Sequence, residues 1–178
     1  MESSSEMALT YVTGGARSGK SAYAQRLAEG RGGDLLYVAT AGVHDGEMAE
    51  RVTRHRQARG SRWTTLEEPL DLAGTLPAAA AGKGAVLLDC ATLWLSNLFF
   101  HHGEDAEKVL ADVDRFVTSL PAVGPPLFVV SGELGMGIVP ENRMARAFRD
   151  LAGEVNQKLA AAADEAWLVA SGLPLRLK

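Results

Sequence analysis

Leu9-Thr10-Tyr11-Val12-Thr13, running into Gly14-Gly15-Ala16-Arg17-Ser18-Gly19-Lys20-Ser21, decides how the rest of the chain is read. The first five residues are a short β-prone run. The next eight satisfy G-x-x-x-x-G-K-[ST], and a helical pattern begins at Lys20. Strand, glycine turn and helix in that order give the motif a mechanism: the glycines let successive backbone N–H groups wrap an anion, and the helix start adds partial positive charge. Lys20 is then placed to reach the β- and γ-phosphates of a nucleotide. Ser21 offers its hydroxyl to Mg²⁺, an ion that binds through few protein oxygens plus phosphate and water.

Outward from this turn the same alternation continues. Strands are expected at 9–13, 35–40, 85–89, 127–131 and 166–170, with helices near 20–29, 47–57, 70–80, 92–100, 106–120 and 143–163. Breaks fall at the glycine- and proline-rich stretches 30–33, 82–84 and 124–126. Residues 173–177 suit an edge strand, because Pro174 is tolerated only near a strand start or an edge. The pattern is that of a single α/β domain with a mostly parallel sheet flanked by helices. The 178 residues leave little room for a second domain, and residues 1–7 read as a flexible N-terminal extension.

Composition narrows the class. With 47% hydrophobic and 22% charged residues, the chain can bury a core and is neither disordered nor fibrous. A net charge of −4 gives no basic field for nucleic acid or anionic lipid. The single cysteine, Cys90, excludes an internal disulfide, and with four histidines and no cysteine cluster there is no zinc framework. A reducing cytosol fits. No export signal is visible at Met1–Glu6, and the most apolar stretch, 85–100, is interrupted by Asp89, Thr92, Ser96 and Asn97 and falls short of the ~20 residues a bilayer span needs.

Three further features carry chemistry. Asp89 closes the run Ala85-Val86-Leu87-Leu88-Asp89, where a magnesium scheme wants a carboxylate; the alternative is a helix cap before Thr92. Residues 51–62 hold five arginines and no acid, an excess that suits a phosphate chain. On a helix there, Val52 and His55 lie within about 40° and about 20° of Met48, so His55 faces inward, either as a core-edge histidine or as a nucleophile toward phosphorus. His44 falls in the preceding loop, and His101-His102 suits a helix end. Finally, residues 131–143 follow a strand at its C-terminal end, where open α/β sheets bind ligands. Ile138-Val139-Pro140 there is apolar enough to pack on a substrate or subunit, or to be a buried connector with Asn142 capping the next helix.

Taken in order, Gly14 to Ser21, Tyr37-Val38-Ala39-Thr40-Ala41, the stretch from Glu47-Met48-Ala49 to Arg54-His55-Arg56, Asp89-Cys90 through Leu95-Ser96-Asn97-Leu98, Glu133 through Asn142-Arg143, and Asn156 through Gly172 resemble the bifunctional adenosylcobinamide kinase / adenosylcobinamide-phosphate guanylyltransferase family. The resemblance runs from Tyr11 onward. It implies a P-loop NTPase-like (RecA-like) fold and assembly of the nucleotide loop of cobalamin. It implies that His55 carries a guanylyl group and, with Lys20, is catalytic. It further implies that Gly14, Gly15, Ala16, Arg17, Ser18, Gly19, Lys20 and Ser21 bind nucleotide phosphates, that Ala39, Thr40 and Ala41 line the site, and that Arg56, Gln57, Ala58, Arg59, Glu67 and Asp89 contact GTP. Ser21 and Asp89 are the expected Mg²⁺ ligands. ATP and GTP are the implied nucleotide substrates, adenosylcobinamide and its phosphate the acceptors, and a cytoplasmic homotrimer the implied assembly. Gly132 stands where the family pattern has asparagine.

Two other classes compete. One is a monofunctional small-molecule kinase in which His55 is structural. The other is a regulatory GTPase; Asp71-Leu72-Ala73-Gly74 and Asp150-Leu151-Ala152-Gly153 match D-x-x-G, but both lie in expected helices and no N-K-x-D follows.

Overall fold

The computed structural model describes residues 8–41 and 60–178. The expected helix at 47–57, His44, His55 and the N-terminal extension lie outside the described residues. The elements run β1 (Leu9–Gly14), α1 (Lys20–Glu29), β2 (Leu35–Ala39), β3 (Trp63–Glu67), α2 (Leu72–Ala80), β4 (Ala85–Asp89), α3 (Ala91–His101), α4 (Ala106–Ser119), a 3₁₀ turn (Leu120–Ala122), β5 (Leu127–Gly132), α5 (Arg143–Ala162), β6 (Glu165–Ala170) and β7 (Leu173–Arg176).

Seven strands form one sheet in the order β3-β2-β4-β5-β1-β6-β7, parallel throughout except for β7, which is antiparallel to β6. The runs LTYVTG, LLYVA and LFVVSG are buried along almost their whole length, as expected of central parallel strands covered on both faces. At the margins the sequence relaxes. β3 is half-buried and β7 fully exposed, and Pro174 sits in that edge strand where no ladder bond is demanded of it.

Helices cover both faces. One core joins Leu9, Val38, Leu88, Trp94, Phe99, Phe116 and Val155; the other joins Val12, Ala24, Ala28, Tyr37, Leu87 and Phe128. α1 presents only alanines, Ala24 and Ala28, as fully buried residues, which lets its axis lie close to the sheet and brings its N-terminus over β1. α4 buries Val109, Val113 and Phe116 on one stripe and starts at Asp105, whose carboxylate accepts from the N–H groups of Glu107 and Lys108. Phe116 meets Trp94 edge-on at 5.1 Å and is 1% exposed. Phe116→Ala is therefore expected to cost about 3–5 kcal/mol, read as a lower denaturant midpoint at unchanged slope.

The five expected strands, the edge strand and the helices within the described residues are all present, with ends shifted by a residue or two. One element was not among the expected ones: Trp63–Glu67 is a strand paired to β2. The C-terminal ends of β1 to β5 gather Gly14, Ala39, Glu67, Asp89 and Gly132 along one rim of the sheet.

Candidate active site

Gly14 ends β1 because nothing larger fits: a Cβ there would lie 2.4 Å from the Val169 carbonyl oxygen and 2.5 Å from Ser18 Oγ. Arg17 and Gly19 take positive φ, 54° and 92°, turning the chain so that α1 begins at Lys20. The first-turn N–H groups of α1 thus open onto the concavity of the turn, the arrangement that receives phosphate oxygens. The rear of the turn is closed by the β6–β7 hairpin. Ser171 and Gly172 both have positive φ, 52° and 78°, the signature of a two-residue I′ turn, and Gly172 N donates to Ser18 O at 2.7 Å. Ser18 Oγ is buried beneath the turn without a hydrogen-bond partner among the described residues.

Lys20 Nζ folds back to donate to Gly15 O at 2.9 Å, which holds the ammonium over the turn. Ser21 Oγ donates to Asp89 Oδ1 at 3.3 Å, and Tyr37 OH donates to Asp89 Oδ2, also at 3.3 Å. Asp89 is therefore drawn to α1 and β2 rather than to its own chain's next helix. The alternative of a cap before Thr92 is corrected here: the N-cap of α3 is Cys90, with no side-chain cap bond. Two hard oxygen donors side by side beneath the phosphate turn are the donor set Mg²⁺ takes alongside phosphate and water. Among the described residues no group of three or more His, Cys, Asp or Glu is placed to hold a metal ion.

Ala39 and Thr40 lie at the end of β2 with Ala41 just beyond. Thr40 is fully buried, and its hydroxyl is engaged with Cys90, donating to Cys90 O at 2.7 Å and accepting from Cys90 N at 3.1 Å. Asn97 Nδ2 donates to Thr40 O, pinning the strand end to α3. Glu67 ends β3 opposite Ala39 and is exposed. Arg56, Gln57, Ala58 and Arg59 lie outside the described residues with His55.

Residues the sequence reading missed support the rim. Tyr37 is one. Ser131, Thr92 and Asn156 are others: Ser131 Oγ donates to Asn156 Oδ1, Asn156 Nδ2 donates to Gly132 O, and Gly132 N donates to Thr92 Oγ1. A Cβ at Gly132 would sit 3.2 Å from Thr92 Oγ1, so glycine relaxes this clamp. The side chain of Asn142 caps α5 through Ala145 N, as expected, but the preceding arm is not a buried connector, since Ile138 is 97% exposed. His102 ends α3 and meets Asp112 at 2.7 Å, the expected helix-end role. Burial first and the neighbouring Asp89 charge second push the Cys90 thiol upward, which disfavours its thiolate. Its alkylation by iodoacetamide is expected to be slower than that of a free thiol at pH 8 and to rise only at higher pH, measured by mass spectrometry.

The fold is similar to that of solved proteins. A KaiC-like protein, PH0186, of Pyrococcus horikoshii aligns at TM-score 0.53 and 12% identity over 90% of this chain and 70% of that one. The RadB recombinase aligns at TM-score 0.52 and 18% identity over 90% and 73%. These likenesses establish the P-loop, RecA-like fold. Residues 10–177 match the family model of cobinamide kinase / cobinamide phosphate guanyltransferase. The chain belongs to this family. Relatives agree along nearly the full length: the bifunctional adenosylcobalamin biosynthesis protein CobU of Escherichia coli is 42% identical over 94% of this chain and 98% of its own, and that of Salmonella typhimurium is likewise 42% identical. CobP of Pseudomonas aeruginosa, also named a bifunctional adenosylcobalamin biosynthesis protein, is 40% identical over 94% of this chain and 95% of its own. A member of this family is an enzyme of cobalamin biosynthesis with kinase and guanyltransferase activities. The competing GTPase motifs dissolve into helix: Asp71 caps α2 by accepting from Gly74 N, and Asp150 lies inside α5. Among the described residues, no helix is long and apolar enough to cross a membrane.

Proposed function

We propose that the chain performs both steps through one phosphate turn and one histidine. In the first, ATP or GTP gives its γ-phosphoryl group to the aminopropanol hydroxyl of adenosylcobinamide. In the second, His55 displaces pyrophosphate from the α-phosphorus of GTP, holds GMP as a phosphoramidate, and yields it to the phosphate of adenosylcobinamide phosphate, giving adenosylcobinamide-GDP. The observation that carries the kinase step is the joined set of Gly14–Gly19 turn, Lys20, Ser21 and Asp89 on one rim. The turn's N–H groups and Lys20 hold the phosphate chain in line, so that positioning and charge do most of the catalysis. Ser21 and Asp89 would hold Mg²⁺, which would supply positive charge against that of the phosphate chain. For the second step, Arg56 and Arg59 supply guanidinium forks for the triphosphate, with Gln57, Ala58 and Glu67 beside the nucleotide.

A corrinoid is too large for a domain of this size to enclose, so it must bind on an open surface. The exposed Met136, Ile138 and Val139 beside the rim, and the exposed edge residues Leu173 and Leu175, are surfaces that a corrinoid or a neighbouring subunit would cover. A cytosolic homotrimer is the assembly this reading expects.

Wild-type protein incubated with GTP labelled at the α-phosphorus tests the reading. A protein-bound label that is lost in acid and kept in base, and that transfers to adenosylcobinamide phosphate, is the expected result. Phosphorylation of adenosylcobinamide without any such adduct would leave a plain kinase.

A further inference from the structure

We propose that Glu133 is the general base of the kinase half-reaction, accepting the proton of the acceptor hydroxyl. The proposal rests on the kinase reading above and deepens it.

Placement is the first argument. β5 lies between the strand that carries the phosphate turn and the strand that carries Asp89. Its register pairs Val130 with Asp89 on one side and Gly132 with Gly14 on the other, so β5 continues two residues past the level of Asp89. Glu133 N then donates to Gly14 O at 2.9 Å, which fixes this residue on the rim directly beside the turn. Among the described residues Glu67, another carboxylate at a strand end of the rim, closes β3, four strands from β1. At about 4.8 Å per strand that is roughly 19 Å away.

The second argument is chemical availability. Lys20 is committed to the phosphate turn, and Asp89 to Ser21 and Tyr37. One oxygen of Glu133, Oε1, accepts from Gly135 N, which orients the carboxylate. Among the described residues its second oxygen has no hydrogen bond and no cation lies within ion-pair reach, so lone pairs are left for a substrate proton. The backbone just before it is held by Thr92, Ser131 and Asn156 from three different elements, giving the base a rigid mount. The arm just after it opens to solvent at Ile138, so a bulky acceptor reaches the carboxylate without entering a closed pocket.

In the step, the acceptor O–H bond breaks and its proton passes to Glu133. The acceptor oxygen bonds to the γ-phosphorus, the bond from that phosphorus to the β,γ-bridging oxygen breaks, and the nucleoside diphosphate departs with the electron pair. Glu133 afterwards releases the proton to water.

Glu133→Gln tests this, because the amide oxygen still accepts from Gly135 N while the side chain no longer takes a proton. Two assays are run on each protein: phosphorylation of adenosylcobinamide by ATP, and formation of the GMP adduct from α-labelled GTP. The expected result is a fall of about 100-fold in kinase kcat, an unchanged KM for ATP and wild-type adduct formation, with partial recovery in Glu133→Asp. Kinase kcat within about threefold of wild type would overturn the proposal, since loss of a general base costs at least about 100-fold. So would an equal loss in both assays, which would place the carboxylate in shared phosphate binding. A wild-type enzyme without kinase activity would instead sink the underlying reading, and that arm is read before any variant.

Discussion

His55→Ala should abolish the acid-labile GMP adduct altogether while leaving phosphorylation of adenosylcobinamide near its wild-type rate. A covalent intermediate has no substitute when its nucleophile is removed, so the loss in guanylyl transfer is expected to exceed about 10⁴-fold rather than be graded. In the proposed kinase step Lys20, Ser21 and Asp89 act from the turn after β1, from α1 and from the end of β4, and no role in it is assigned to His55. The two activities should therefore separate cleanly in a single variant. The measurement is paired: label retained on protein after gel filtration at alkaline pH, and phosphorylated corrinoid by chromatography. An adduct that survives the substitution would assign the nucleophile elsewhere, and loss of both activities together would mean that the histidine segment also builds the kinase site.

Lys20→Ala should strike the other half. Among the described residues, the hydrogen bond of Lys20 Nζ is to Gly15 O of its own turn, near the protein surface, so little stability is at stake and the variant should unfold at an unchanged denaturant midpoint. Its value lies in the charge that builds on phosphoryl oxygens during transfer. Removing a cation so placed is expected to lower kinase kcat by about 10³-fold, the scale on which cationic clamps act in phosphoryl transfer. Lys20→Arg would retain the charge but not the compact point contact, and should recover only a small part. If kcat in Lys20→Ala falls less than about tenfold, the turn binds nucleotide without driving its chemistry.

The central sheet and the phosphate turn were legible because both are written locally: a continuous apolar run has one role in a parallel sheet, and G-x-x-x-x-G-K-S has one conformation between a strand and a helix. Asp89 was legible for the same reason, as the polar stop of a buried strand. Trp63–Glu67 was not, since it follows an arginine-rich stretch and is half-exposed at the edge, although Trp-Thr-Thr-Leu is a β-prone run that could have been read as a strand. Tyr37 looked like one more apolar strand residue until the fold brought its hydroxyl to Asp89, 52 positions away. The clamp on the end of β5 draws Thr92, Ser131 and Asn156 from three elements, and no pattern of spacing announces such a meeting. The helix-cap alternative for Asp89 failed because a carboxylate at a strand end can face a neighbouring element as readily as its own chain.

The bond from Gly172 to Ser18 ties the beginning of the fold to its last hairpin. A nascent chain emerged as far as Ala170 already contains every residue of the phosphate signature, yet lacks the backstop that gives the turn its final curvature. The support behind the turn is supplied by a hairpin far along the chain, so the phosphate signature by itself does not hold all the contacts that shape it.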